Sequence, residues 1–300
     1  MNGSLGRDRL WNQQIWSDID KAVQEEVGRV RVAQKVFPSA VLNNVLPVSR
    51  NRVVPFAGGV PVFPSPDEFQ PFLEISTEFV LTQAQVDGED NVHLAPSFAK
   101  WAASVIADAE DALLFLGPGS IPGLPGVNIT NQPLPPGGVP PGFVAEANAY
   151  AVTAVNPLPP PLGDLLGAIA TGKAALLGRA QPGPYALFLS PIRFAQSFAQ
   201  PSAGLLLTPG DQISHLVTGG FYMVNRLDAA AVIFAFPFPP PNADIGILVS
   251  LGGEPAKIIL GTDAITAFTH TDALGNYHFR VFERIQMVVR DGRAFQILEF

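Results

Sequence analysis

The chain has 300 residues, a formal net charge of -8, no cysteine, and only 15% charged against 47% hydrophobic residues. The acidic balance excludes nucleic acid as a partner, since phosphate contacts need clustered Lys and Arg. The lack of thiols excludes disulfides, thiolate metal sites and cysteine nucleophiles. With charge so far below the usual ~25%, apolar area must be buried or shared with neighbours, and self-association is expected.

The opening stretch MNGSLGRDRLW carries no apolar leader, and the longest apolar run, Ala229–Phe238, is too short to span a bilayer and ends in prolines. A soluble, cytoplasmic protein with no membrane partner is expected. From Leu10 to Val30, Trp16, Ile19, Val23, Val27 and Val30 fall on one helical stripe, and Gln13, Ser17, Asp20, Gln24 and Glu25 fall largely opposite. Residues 36–81 carry strand-like runs broken at Pro47, Pro55, Pro61, Pro64 and Pro66. Proline withholds the sheet donor, so this region reads as a protruding ribbon or long loop rather than a central strand.

A second helix follows in Leu94–Gly117, with Phe98, Trp101, Ala102, Val105, Ile106, Ala109, Ala112, Leu113 and Leu116 on its apolar face, Pro96 near its start and Gly117 at its end. Twelve of the 30 prolines lie between Pro118 and Pro161, where Glu146 is the one charged residue, so that block reads as a loop-rich insertion. A helix near Leu162–Leu177, a buried strand in Pro184–Ser190, a short helix from Pro191, an uncharged loop Gln200–Pro209 and a helix at Asp211–Thr218 come next. Strands then dominate to the end, which makes the class α+β.

Chemistry is nearly absent from the pattern. His93, His215, His270 and His278 include no i, i+4 pair, so no metal site is expected. The run GPGSIPGLPG lacks both the dinucleotide fingerprint and the Walker lysine, and there is no G-x-S-x-G elbow. The carboxylates Asp108, Glu110 and Asp111, like Asp87, Glu89 and Asp90, read as a solvated edge or a subunit contact before an acid–base pair. No catalytic residue and no cofactor is expected, and a soluble enzyme is disfavoured for want of a nucleophile, base or metal set.

The order of elements, however, resembles the encapsulin shell proteins, which share the tailed-phage major-capsid-protein fold. The likeness is carried by RDRLWNQQIWSDID from Arg7, ADAEDALLFLG from Ala107, GPYALFLSP from Gly183, LGTDAITAF from Leu260, FRVFERIQMVV from Phe279 and GRAFQILEF from Gly292. These look like the family's N-terminal helix, spine-helix end, G-P-Y strand, L-G-x-D segment, F-R-[VL]-x-E strand and closing strand. Where the family often carries G-R-[RK]-x-[VF]-D, this chain reads AQKVFPS, with Gln34 and Pro38 in the motif's polar places, and Ala84 stands where some members hold a flavin through a Trp. Flavin is therefore not implied.

The resemblance implies an N-terminal helix and the start of the peripheral domain in 1–44, an extension arm in 45–72, and a peripheral domain with spine helix in 73–117. It further implies an axial domain in 118–247, with the Pro-rich insertion 118–161, and a return to the peripheral domain in 248–300. It also implies a non-enzymatic subunit that assembles with many copies of itself into an icosahedral nanocompartment. The cargo would be a ferritin-like protein or dye-decolourising peroxidase, linking the shell to iron storage or oxidative stress, held by a short apolar C-terminal targeting peptide. By the same resemblance, Trp16 and Ile19 anchor the first helix. Val23, Val27, Val30, Lys35 and Phe37 line the cargo-peptide groove, and Pro201, Ser202, Ala203, Gly204, Leu205 and Leu206 form a five-fold pore loop. A phage or prophage capsid protein is the alternative; such proteins typically need scaffolding or a cleaved leading segment, for which a helix starting within the first ten residues leaves no room.

Overall fold

A computed structural model describes residues 5–42, 72–118, 124–131, 142–150, 164–199, 207–227 and 245–299, together with four two-residue strands between 48 and 70. In chain order the elements are α1 (Gln13–Val30), β1 (Ser39–Val41), β2 (Val48–Ser49), β3 (Val53–Val54), β4 (Phe63–Pro64), β5 (Phe69–Gln70) and β6 (Leu73–Leu81). Then come α2 (Gln83–Asp87), α3 (Glu89–Val92), α4 (Leu94–Leu116), β7 (Val127–Asn131), α5 (Phe143–Tyr150), α6 (Asp164–Gly178), β8 (Tyr185–Leu189), α7 (Pro191–Ser197), α8 (Pro209–Leu216) and β9 (Gly220–Met223). The last are β10 (Ile245–Ser250), β11 (Ala256–Thr271), β12 (Tyr277–Val289) and β13 (Phe295–Glu299).

Two sheets organise these elements. The larger runs β1-β11-β12-β6-β7, parallel only at β1–β11; the smaller runs β13-β10-β8-β9, parallel only at β8–β9. Ala256–Thr271 is one long strand, β11, continuous through Gly261, whose register against β12 shifts at Leu260, Thr262 and Phe268. Such bulges bend a long strand without ending it. β6 corrects the ribbon reading of its own segment. It is a central strand between β12 and β7, because the prolines stop at Pro71 and Leu73–Leu81 is free to donate to both neighbours. The preceding segment does pair with itself, β2 on β5 and β3 on β4. The run Ala229–Phe236 lies outside the described residues.

The helices cover one face of the larger sheet. Asn12 caps α1 by accepting from the Ile15 amide (3.0 Å), and Glu89 accepts from the Ala95 amide at the start of α4 (3.0 Å). Ala99, Ala102, Ala103 and Ile106 of α4 are buried, and small residues there let α1 and the sheet approach closely. The expected apolar face of α4 is displaced at its first turns, where Phe98 and Trp101 point outward and the alanines take the core. The Pro-rich block also holds more order than its composition suggests. β7 extends the larger sheet, and α5 packs on the end of α4 through Gly142, where any Cβ would collide with the backbone of Phe115, Leu116 and Gly117.

Candidate functional site

Trp16, Ile19, Val23 and Val27 pack with Phe79, Leu81, Phe279 and Val281 of the larger sheet and with the alanine face of α4. The Trp16 indole donates to the Arg7 carbonyl (3.1 Å), and the Arg7 guanidinium lies 5.0 Å over its ring while pairing with Asp20 (2.6 and 2.7 Å). Val23 and Val27 have 0% exposure, so the groove expected at them does not exist in the folded subunit. The sequence period identified the stripe; its partner is the spine helix. Phe37 is likewise enclosed, with its ring 4.7 Å from Phe143 of α5 and 6.1 Å from both Phe188 and Phe295 of the smaller sheet, so it offers nothing to a ligand.

Val30 and Lys35 are placed differently. Both line a cleft of about 660 Å³ whose walls are Val32 beside them, Ser104, Val105 and Asp108 of α4, Phe194 of α7, and Phe221, Tyr222 and Met223 of β9. Asp108 does not leave the cleft negative, because Arg226 engages it through Nε (2.8 Å) and Nη2 (2.5 Å). Lys35 donates to the Arg29 carbonyl at the rim (2.9 Å). The cleft thus mixes apolar and aromatic side chains with the polar groups of Ser104, Asp108 and Asn225, and carries Arg29 and Lys35 among its lining residues. The α7 and β9 residues were not foreseen, since their contribution depends on how the smaller sheet docks beside α4.

A second apolar surface lies along the same exposed stripe of α4, nearer its N-terminus. Trp101 is 57% exposed and, with Phe98, Val80 and Phe79, lines a cavity of about 470 Å³. Leu274, at the tip of the β11–β12 hairpin, is 88% exposed. The expected pore residues Pro201, Ser202, Ala203, Gly204, Leu205 and Leu206 lie outside the described residues, as do the side chains of the arm.

Two of the three carboxylates of ADAED are not a solvated edge. Glu110 is 0% exposed and Asp111 is buried. Arg31, the residue that ends α1, pairs through Nε with Glu110, through Nη2 with Glu283 of β12 (2.6 Å), and through both terminal nitrogens with Asp263 of β11 (3.1 Å). Gln34 donates to Glu110 (2.7 Å), and Asp111 accepts the amides of Val32 (3.0 Å) and Ala33 (3.0 Å). Burial works against the Arg31 charge, but Glu283, Glu110 and Asp263 outweigh it and push the guanidinium's pKa up. Burial raises Glu110, and burial with the nearby Glu110 charge raises Glu283 further and Asp111 to about 8.

Two of the four histidines meet across the hairpin, where the His270 and His278 rings stack at 4.4 Å. Among the described residues no group of three or more His, Cys, Asp or Glu is arranged to hold a metal. No described helix is long and apolar enough to cross a membrane.

No family model and no curated protein matches the sequence. Among solved structures, a virus-like particle from Pyrococcus furiosus is similar at a TM-score of 0.63 and 14% identity, over 95% of this chain and 99% of that one. The capsid of Myoviridae phage XM1 is similar at 0.57 and 11%, over 90% of this chain and 91% of its own. The capsid of an empty GTA particle is similar at 0.51 and 14%, over 89% and 88%. With a mixed helix-and-sheet architecture similar to these over most of its length, the chain has the α+β fold of tailed-phage capsid and virus-like-particle subunits.

Proposed function

We propose that the chain is a self-assembling shell subunit, and that its shell is a cytoplasmic encapsulin-type nanocompartment rather than a genome container. The observation that carries the shell reading is the match to a particle-forming subunit over 95% of this chain and 99% of that one, which leaves little of either chain for another purpose. The exposed Trp101 patch and the low charge support it, because a subunit enclosed by neighbours keeps apolar surface that a monomer would hide. In this reading 45–72 is the arm that overlaps a neighbour, 118–247 is the axial domain, and residues 201–206 form the five-fold pore.

Cargo docks, in this proposal, in the cleft at Val30 and Lys35 and not along the whole stripe of α1. A ferritin-like or peroxidase cargo with a short apolar tail would bury two or three Leu or Ile side chains there, each contributing about 1.5–3 kcal/mol, enough for a micromolar contact after association costs. Many copies in a closed shell then retain cargo firmly. The phage-capsid reading is supported by the XM1 likeness, at a TM-score of 0.57. The test is expression of the chain alone, followed by light scattering and negative-stain microscopy. Closed particles of many copies are expected; a monomer or dimer at micromolar concentration refutes the shell. Particles that retain a tail-bearing cargo favour the compartment, and particles that package DNA favour the phage.

A further inference from the structure

Two of the motifs that carry the resemblance, L-G-x-D and F-R-x-x-E, converge with the spine helix on a single cation. Asp263 comes from the first, Glu283 from the second and Glu110 from α4, and all three oppose Arg31. Around this group α1 contributes Arg31, α4 contributes Glu110 and Asp111, β11 contributes Asp263 and β12 contributes Glu283, while Asp108 at the edge is already paired with Arg226. One guanidinium therefore faces three carboxylates. Glu110 and Glu283 have 0% exposure, and Glu283 Oε1 finds no hydrogen-bond partner among the described residues. An ionised carboxylate with one oxygen buried and unpartnered is strongly disfavoured, whereas a neutral carboxyl in the same place is tolerable.

We propose that the carboxylates around Arg31 keep a proton at neutral pH and surrender it in alkali, and that this loss loosens the joint between α1, the spine helix and the larger sheet. The proton lies on the Glu110–Glu283 pair, which water does not reach, and not on the half-exposed Asp263. Because burial raises both glutamates above ordinary carboxylates, the folded state binds more protons than the unfolded chain. The stability they contribute is complete below the ordinary carboxylate range and is lost as pH rises through the raised values; Asp111, raised to about 8, adds to the same slope. The joint also governs the cleft beside it, since Val30 and Val32 flank Arg31 and Asp108 lies half a turn before Glu110.

Infrared spectra of the full-length protein test this directly, because a protonated carboxyl has a C=O stretch well separated from that of a carboxylate. Between about pH 6 and about pH 9.5 the band should be present at the acidic end and bleach toward the alkaline end, and Glu283→Gln should shrink it with an unchanged circular dichroism spectrum. The unfolding midpoint of the wild type should fall over the same range, and that of Glu283→Gln should fall by less than half as much. Absence of the band at neutral pH overturns the proposal from the wild type alone, even if the variant does not fold. A band and a pH slope that Glu283→Gln leaves unchanged overturn it as well.

Discussion

Arg31 holds together three stretches of chain that share no local sequence signal. Replacing it by Met would leave Glu110 and Glu283 buried without a counter-charge, and denaturant unfolding should show a loss of about 3–5 kcal/mol. Glu110 and Asp111 were read as solvated because charged helix residues usually are; their partners lie 76 to 79 positions away, at Gln34, Ala33 and Val32. No spacing rule reaches so far. Val23 teaches the converse lesson. Its stripe was legible at the helical period, but periodicity says that a face is covered and not by what. Val23→Asp should therefore abolish soluble expression, as seen on a fractionated gel, whereas Val30→Asp should give folded subunits that assemble without loading a tail-bearing cargo. Acid acts elsewhere: hydrogen bonds from the Asn276 amide and side chain, with His278 and Leu274, pull Asp272 down to about 2. Its support of the hairpin turn is present above the ordinary aspartate value and lost as pH falls through about 2, so amide exchange at Asn276 should accelerate there and already be fast at neutral pH in Asp272→Ala.

Elements show where composition misleads. Proline density made the whole of 36–81 read as a ribbon or loop, and so it also coloured β6, which begins two residues after Pro71 and becomes the centre of a sheet. β7 was hidden because the Val127–Asn131 run is flanked by Gly and Pro on both sides; only pairing with Leu73–Thr77 makes it a strand. The helix α4 was legible in length and in its Gly117 stop, but Phe98 and Trp101 were assigned inward by hydrophobicity alone. Their exposure is the surface by which the spine helix is proposed to meet a neighbour. Changing both to Lys should leave the subunit's circular dichroism intact and shift its scattering mass from a particle to small oligomers.

At the scale of the whole molecule, deletion of Arg50 to Pro66 separates fold from assembly. Neither sheet uses this segment, whose described strands pair only with one another, so the deleted chain should keep its core and fail to close particles under the electron microscope. The strand order of the larger sheet also has a kinetic consequence. β1 pairs with a strand that begins at Ala256 and β6 pairs with β12, so both find these sheet partners only after about two hundred further residues have been made. Contacts of such long sequence separation require the entropy of large loops to be surrendered before any pairing rewards it. During synthesis α1, β6 and α4 can meet early, with the sides that face β11 and β12 still bare.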